Sequence, residues 1–485
     1  MNILYVASEV APYSKSGGLG DVAHSLPAAL AARGHQVRVV TPLYATAKVP
    51  AAEDSGQTLR LRFPYGEEQG RIRIVRPQPG HEVWFLDHPG LYGRGGLYGD
   101  RHGDFRDNQR RFAFLSVGAL VAAQLLGFQP DVVHLNDWQT GLGALALAGG
   151  FRGTSLGGAG CLFTIHNLAY QGLFPKSVMG ELGLPWSAFT PTGLEFYDQV
   201  NFMKAGIAFA DAVNTVSETY AREIQTQEYG CMLEGILQAR SSRLYGIVNG
   251  IDVHEWDPRR DPLLPAHYDA DDLSGKAVCK AELRRRFGLP DPERLSRRPL
   301  FGVVSRLAAQ KGIALLLESI PWLVSQGAEV VLLGSGERAY EDGFRSLAGR
   351  FPRQVGAYVG FEPALSHLVE GGADFFLMPS QYEPCGLNQM YSLRYGTVPI
   401  VRATGGLEDT VRDGDLPGGT GFKFRNFDGF ALRWAADRAL RWWWDRPGDL
   451  EAMRRRGMAQ DWSWEASARK YERLYASLSR AQEGG

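Results

Sequence analysis

The sequence predicts an α/β protein in which buried strands alternate with helices and each strand empties into a polar or glycine-rich turn. Three observations predict it. Met1 to Ala7 is a fully apolar run, and Ser14-Lys15-Ser16-Gly17-Gly18-Leu19-Gly20-Asp21 follows it and opens a helix through Leu30. Phe375 to Met378 is a second apolar run; it stops at Pro379 and Ser380 and gives way to helical spacing between Glu383 and Tyr395. Pro130 to Trp138 and Leu162 to Gly172 repeat the plan, with an apolar strand ending in a polar tail. In such folds the strands are covered on both faces, and polar groups at their carboxyl ends face the crevice where ligands bind.

Length and composition bound the answer. The 485 residues allow about two to four domains, and 44% hydrophobic content fills sizeable cores. Lys and Arg number 52 against 53 Asp and Glu, so there is no general attraction to nucleic acid or to an anionic membrane. Any phosphate site has to be local. The N-terminus shows no basic leader or small-residue cleavage site, and no later run reaches the ~18 apolar residues of a membrane span. Cys161, Cys231, Cys279 and Cys385 are far apart and form no Cys-x-x-Cys, which argues against a disulfide framework or a zinc site. A cytoplasmic protein is expected.

In chain order, the glycine turn after the first strand is a phosphate-accepting arrangement. Gly17 and Gly18 let backbone approach an anion, the helix start supplies N–H groups, and Lys15 adds a mobile charge. A nicotinamide-binding protein would carry an acidic residue after the second strand, Val37 to Val40, but Thr41-Pro42 stands there. Residues 50–90 alternate polar and apolar, which predicts β-hairpins whose arginines are solvated. Asp104 to Phe112 opens a helix to Leu126, and Ala210 to Ser217 is another short strand. Asn249-Gly250 reads as a tight turn, and Asp257 to Gly275, rich in Pro, Asp and Ala, reads as an interdomain linker.

The second half opens with a helix, Gly275 to Phe287, a charged loop to Arg298 and the strand Pro299 to Val304. On the loop after it, Arg306 and Lys311 suit a diphosphate, Arg as a fork and Lys as a point charge. Val330 to Leu333 leads into Gly334-Ser335-Gly336, and Tyr358 to Phe361 is a further short strand. After the strand at 375–378, Pro384 suits a first helical turn and Gly386 lets backbone approach what Glu383 holds. Val398 to Val401 runs into a second small-residue turn, Thr404-Gly405-Gly406. Trp434, Trp442, Trp443, Trp444, Trp462 and Trp464 could form a sugar platform, but helical spacing among arginines favours core packing of a terminal helix pair. Asp413-Gly414-Asp415 and Asp269-Ala270-Asp271 read as turns rather than metal sites, and the final Ala481 to Gly485 as frayed.

The run Leu377 to Val411, LMPSQYEPCGLNQMYSLRYGTVPIVRATGGLEDTV, resembles the donor-sugar segment of bacterial glycogen synthases and plant starch synthases, retaining glycosyltransferases of the two-domain GT-B type. Lys15-Ser16-Gly17-Gly18-Leu19, with Ser for the usual Thr, is similar to them as well. So are Asp137-Trp138, followed by Gln139 where relatives often have His, the His166-Asn167 to Gly172 run, and Ser305 to Gly312. The resemblance implies two Rossmann-like doubly wound parallel-sheet domains facing a deep cleft, at 1–256 and 257–461, with a helix from 462–485 crossing back to the first. It implies transfer of glucose from ADP-glucose to the non-reducing end of an α-1,4-glucan, with retention and without a metal. His166, Asp137, Glu383, Arg306 and Lys311 would be catalytic. Asp137 would meet acceptor or donor sugar, and His166 the glucose 6-hydroxyl. Lys15, Gly17, Gly18, Asn249, Phe361, Cys385, Gly386, Leu387, Thr404 and Gly405 would join Arg306, Lys311 and Glu383 in holding the donor, with Phe361 near the base. A non-catalytic glucan-binding protein on the same fold, a UDP-sugar synthase and a phosphorylase remain as alternatives, and ADP is not separated from UDP.

Overall fold

The computed structural model describes residues 1–49, 51–290 and 297–483, with side chains through Ser479. The chain forms two compact units, Met1–Gly250 with the C-terminal helix from Trp464, and Ile251–Ser463. The division thus falls at Gly250 and Ser463 rather than after Trp256 and Asp461.

The first unit is built on a nine-stranded sheet. Its spatial order is 244–246, 212–215, 160–165, 132–136, 2–6, 36–42, 81–87, 66–78 and 53–63. Strands are parallel as far as 81–87, and the last two are antiparallel. The runs Asn2–Val6 and Val132–Asn136 are buried almost end to end, because helices and hairpins cover both faces and leave two apolar layers. The antiparallel edge is the alternating segment, and its arginines pair outward, Arg62 to Glu67 at 3.2 Å and Arg71 to Asp54 at 3.3 Å. The helix Trp464–Glu483 lies on this sheet: Tyr475 hydroxyl is 2.7 Å from His134 Nδ1, and Asn214 Nδ2 donates to Tyr471 hydroxyl at 3.0 Å. The helix therefore continues through Glu483 where fraying was expected from Ala481, and Gly484 and Gly485 lie outside the described residues.

The second unit carries an all-parallel six-stranded sheet in the order 355–359, 329–336, 300–307, 375–378, 398–402 and 422–424. Counted along the chain, the third, second and first strands are followed by the fourth, fifth and sixth, the Rossmann order. Most of the charged loop expected before Arg298, residues 291–296, lies outside the described residues. The expected linker is instead folded into this unit. Asp257 and Asp261 are almost fully buried; Asp261 Oδ2 accepts from Tyr395 hydroxyl at 2.6 Å and lies 2.8 Å from His367 Nδ1, while Asp257 pairs with Arg259 and Arg394. Buried carboxylates need such partners, and here the partners fix the segment to the domain.

The tryptophans divide. Trp442 and Trp464 are buried, in different units, while Trp434 and Trp444 are 49% and 51% exposed, so the expected core packing of one terminal helix pair holds for only part of the cluster.

Candidate active site

In a doubly wound sheet the ligand crevice lies at the carboxyl ends of the strands, where the order reverses. In the second unit that point falls between Leu300–Leu307 and Phe375–Met378. Arg306 is the penultimate residue of the first of these strands, paired in register with Ser335, and not on a loop beyond it. The strand runs on because Gly334 and Gly336 let the two backbones stay close enough to pair. Arg306 is exposed, and no hydrogen bond or ion pair among the described residues holds its guanidinium.

A short turn, Ala309–Lys311, then aims Lys311 at the neighbouring strand end, where its Nζ lies 2.6 Å from Glu383 Oε2. Ser380 Oγ donates to the same carboxylate oxygen at 2.9 Å. The two loops are joined by Gln381 N to Gln310 O at 2.8 Å and Gln310 Nε2 to Tyr382 O at 3.1 Å. Gly312, at φ +69°, must be glycine, since a Cβ there would stand 2.1 Å from Pro379 O.

The helix expected from Glu383 starts only at Asn388, so Pro384 is not in a helical turn. Gly386 at φ +73° breaks the helical path, and Gln389 Nε2 donates to Cys385 O and Gly386 O, fixing residues 383–387 as a loop. The turn Thr404-Gly405-Gly406 packs directly on it: Gly406 N donates to Glu383 O at 3.0 Å, and a Cβ on Gly405 would lie 1.9 Å from that oxygen. Glu383, Cys385, Gly386, Leu387, Thr404, Gly405 and Lys311 thus form one group. Phe361 lies beyond the strand Val355–Val359 and is 80% exposed. Among the described residues no hydrogen bond or ring contact ties it to that group.

The first unit has its own reversal point, between Asn2–Val6 and Val132–Asn136. Here the glycine turn differs from the expectation. Its amides are not left to an anion: the buried Glu9 carboxylate accepts from Ser16 N, from Gly17 N at 3.3 Å, from Ser16 Oγ at 2.9 Å and from Tyr98 hydroxyl at 2.7 Å. Lys15 is half exposed and pairs with Asp21 at 2.7 Å. A Cβ on Gly17 or Gly18 would meet nothing within 4 Å, so the chain's own packing does not require glycine there and the space above the turn is open. Asn249 is buried, and its Oδ1 has no hydrogen-bond partner among the described residues.

Asp137 and His166 follow adjacent parallel strands and meet. Asp137 Oδ1 accepts from His166 N at 2.7 Å, while Asp137 itself is held at φ +57°, a conformation non-glycine residues rarely adopt. Burial pushes the Asp137 carboxyl up to about 7, against the pull of the His166 and Asn167 amides. Burial also lowers His166 to about 3, so its imidazole is neutral at physiological pH. Its Nε2 lies 2.9 Å from Asn136 Oδ1, which also accepts from Tyr5 hydroxyl at 3.0 Å, while Asn136 Nδ2 donates to Val6 O at 3.0 Å. That assignment puts the histidine proton on Nε2 and leaves Nδ1 as an acceptor. Sequence reasoning missed Asn136, Tyr5 and Glu9. The signal for Asn136 was a lone amide closing a buried strand; nothing in the pattern distinguished Tyr5 from a core aromatic. Among the described residues no group of three or more His, Cys, Asp or Glu could hold a metal ion. Asp413 and Asp269 instead accept from Asp415 N and Asp271 N in local turns.

Comparison with known proteins agrees with this geometry. Residues 2–239 match the starch synthase catalytic domain family, and residues 289–451 match glycosyl transferases group 1. A glycogen synthase of Myxococcus xanthus is 59% identical over 481 residues, covering 99% of both chains, and one of Anaeromyxobacter dehalogenans is 53% identical with the same coverage. The catalytic domain of starch synthase IV from Arabidopsis thaliana, solved bound to ADP and acarbose, is 35% identical and superposes with a TM-score of 0.90 over 99% of both chains. Two parallel-sheet domains with these strand-end groups define a glycosyltransferase of the GT-B type, a hexosyltransferase. Within that class, the chain belongs to the glycogen synthase family.

Proposed function

We propose that the protein transfers glucose from ADP-glucose to the non-reducing end of an α-1,4-glucan, with retention of configuration. The observation that carries this reading is the Lys311–Glu383 pair at the strand-order reversal of the second unit. A cation fit for a phosphate and a carboxylate fit for sugar hydroxyls stand side by side there, as a nucleotide-sugar donor requires. A lysine ammonium has three donors; one serves Glu383, and the others are available to the diphosphate. Arg306, with no partner for its guanidinium among the described residues, supplies a bidentate fork for the same group, and Lys15 is assigned to it as well.

In the reaction the bond from the anomeric carbon to the phosphate oxygen breaks and its electron pair leaves with ADP. The acceptor hydroxyl oxygen bonds to that carbon on the same face, and its proton departs through the leaving phosphate. Charge grows on the diphosphate as the bond breaks, so each fixed cation lowers the barrier by roughly 3 kcal/mol. In this reading side-chain cations take that charge, and no metal is called for. His166, neutral and held through Nε2, orients the sugar rather than exchanging protons with solvent. Asp137 faces the sugar as a carboxylate above about pH 7. Asn249, whose Oδ1 has no partner among the described residues, and Phe361 complete the donor contacts.

A side-by-side titration with ADP-glucose and UDP-glucose, glycogen as acceptor and nucleoside diphosphate release as readout, tests the donor assignment. A higher kcat/KM for ADP-glucose is expected; a preference for UDP-glucose would overturn it.

A further inference from the structure

On the second unit, away from the strand-end groups, the helix Gly429–Asp445 bounds an open hollow of about 450 Å³, within the usual size range of ligand sites. Trp434, Trp442, Asp415 and Asp445 line it together with three arginines. We propose that this hollow is a second glucan-binding site, which holds a linear α-glucan chain and keeps the polymer on the enzyme between transfers. The inference rests on the glucan-elongating reading above.

The argument starts from spacing. Positions 434, 438, 441 and 445 recur every three or four residues, so they share one helix face. Trp434 is 49% exposed, and the Arg438 guanidinium lies 4.6 Å from its ring centroid, so the indole is held in place without being covered. Trp442 closes the inner wall, buried edge-on against Phe422 and capped by Arg446 at 4.1 Å. An ordered half-exposed indole offers a flat apolar surface, and the C–H face of a pyranose ring is its natural complement.

The charges decide between a sugar and an anion. Arg438 is neutralised by Asp413 and by Asp415 at 2.6 Å, Arg441 by Asp437 at 2.8 Å, and Arg446 by Asp449 at 2.8 Å. Among the described residues that line the hollow, no unbalanced cation is left for a phosphate. The paired guanidinium groups still present N–H donors, and the exposed carboxylates of Asp415 and Asp445 present acceptors. Alternating donors and acceptors beside an aromatic plate suit neutral, hydroxyl-rich ligands.

The test is native gel electrophoresis of the full chain through glycogen, without donor, for Trp434→Ala, Trp434→Phe and the control Trp444→Ala. Trp434→Ala should weaken retention about 5- to 10-fold, the scale of one lost aromatic contact, and raise the KM for glycogen. Turnover of maltotriose with ADP-glucose should be unchanged, which also shows the variant is folded. Trp434→Phe should recover most of the retention, and Trp444→Ala should match wild type. Unchanged retention in Trp434→Ala, or an equal loss in Trp444→Ala, would overturn the proposal. So would a Trp434-dependent fluorescence response to inorganic phosphate with none to maltoheptaose. If wild type made no transfer product from ADP-glucose, the proposed function would fail, whereas the donor-free gel reads the hollow independently.

Discussion

At the scale of single residues, the first unit depends on how two side chains are held. Asn136 Oδ1 receives both His166 Nε2 and Tyr5 hydroxyl, so it fixes the imidazole in orientation and tautomer. Asn136→Ala removes the shared acceptor and is expected to lower kcat on the order of 10-fold with little change in KM for the donor, checked by steady-state kinetics. Asp137 gives a prediction about pH. Its folded value near 7 stands above the ordinary 3.8, so between those limits the folded chain keeps a proton that the unfolded chain has released. Stability from this group therefore falls as pH rises from 4 to 7. The Tm of Asp137→Asn relative to wild type should climb across that window and level off above it, as scanning calorimetry at several pH values would show. His166 acts in the opposite sense in both proteins and cancels from the comparison. At this scale the sequence supplied the candidate side chains but not their partners. Glu9 is the clearest case: a glycine turn reads as open to anions, and only folding brings a carboxylate seven residues upstream of Ser16 onto its amides.

At the scale of elements, strand ends and turns do the positioning. The apolar runs at 2–6, 132–136, 375–378 and 398–402 were legible because parallel strands buried on both faces need continuous apolar sequence. What was not legible was where backbone pairing overrides local pattern. Arg306 is polar and still extends its strand, because a neighbour with glycines at 334 and 336 accompanies it. The helix after Glu383 starts late, because Gly386 adopts a left-handed conformation that no count of apolar spacing reveals. The close approach of the 404–406 turn to the Glu383 loop makes a direct prediction. Gly405→Ala places a methyl 1.9 Å from Glu383 O at a φ of +46°, so the loops must separate. Urea unfolding should show a loss of about 1–3 kcal/mol, and kcat should fall with it as Glu383 and Lys311 lose their alignment.

At the scale of the whole molecule, the two units are built on sheets of different construction, one nine-stranded and mixed, the other six-stranded and all parallel, and the last helix belongs to the first of them. Ala468, Tyr471, Leu474, Tyr475 and Leu478 bury one face of that helix on the sheet, and the Tyr475–His134 and Asn214–Tyr471 hydrogen bonds reach the strands themselves. Removing residues 464–485 should accordingly unprotect amides of strands 132–136 and 160–165 in hydrogen exchange, while strands 300–307 and 375–378 stay protected. Length allowed about two to four domains, and the resemblance to the synthases brought that to two, the number of compact units. The 257–275 segment was not, since its prolines and aspartates look like a linker until Asp257 and Asp261 find buried partners.

The most direct test of the central claim, retaining glucosyl transfer from a nucleotide sugar to an α-glucan, is to follow ADP-glucose and maltoheptaose with the enzyme by proton NMR, reading the anomeric signal of the new linkage and the ADP released. The account predicts one ADP per glucose added and an α-1,4 product from the first turnover. A β-linked product, or glucan binding with no ADP formed, would contradict it.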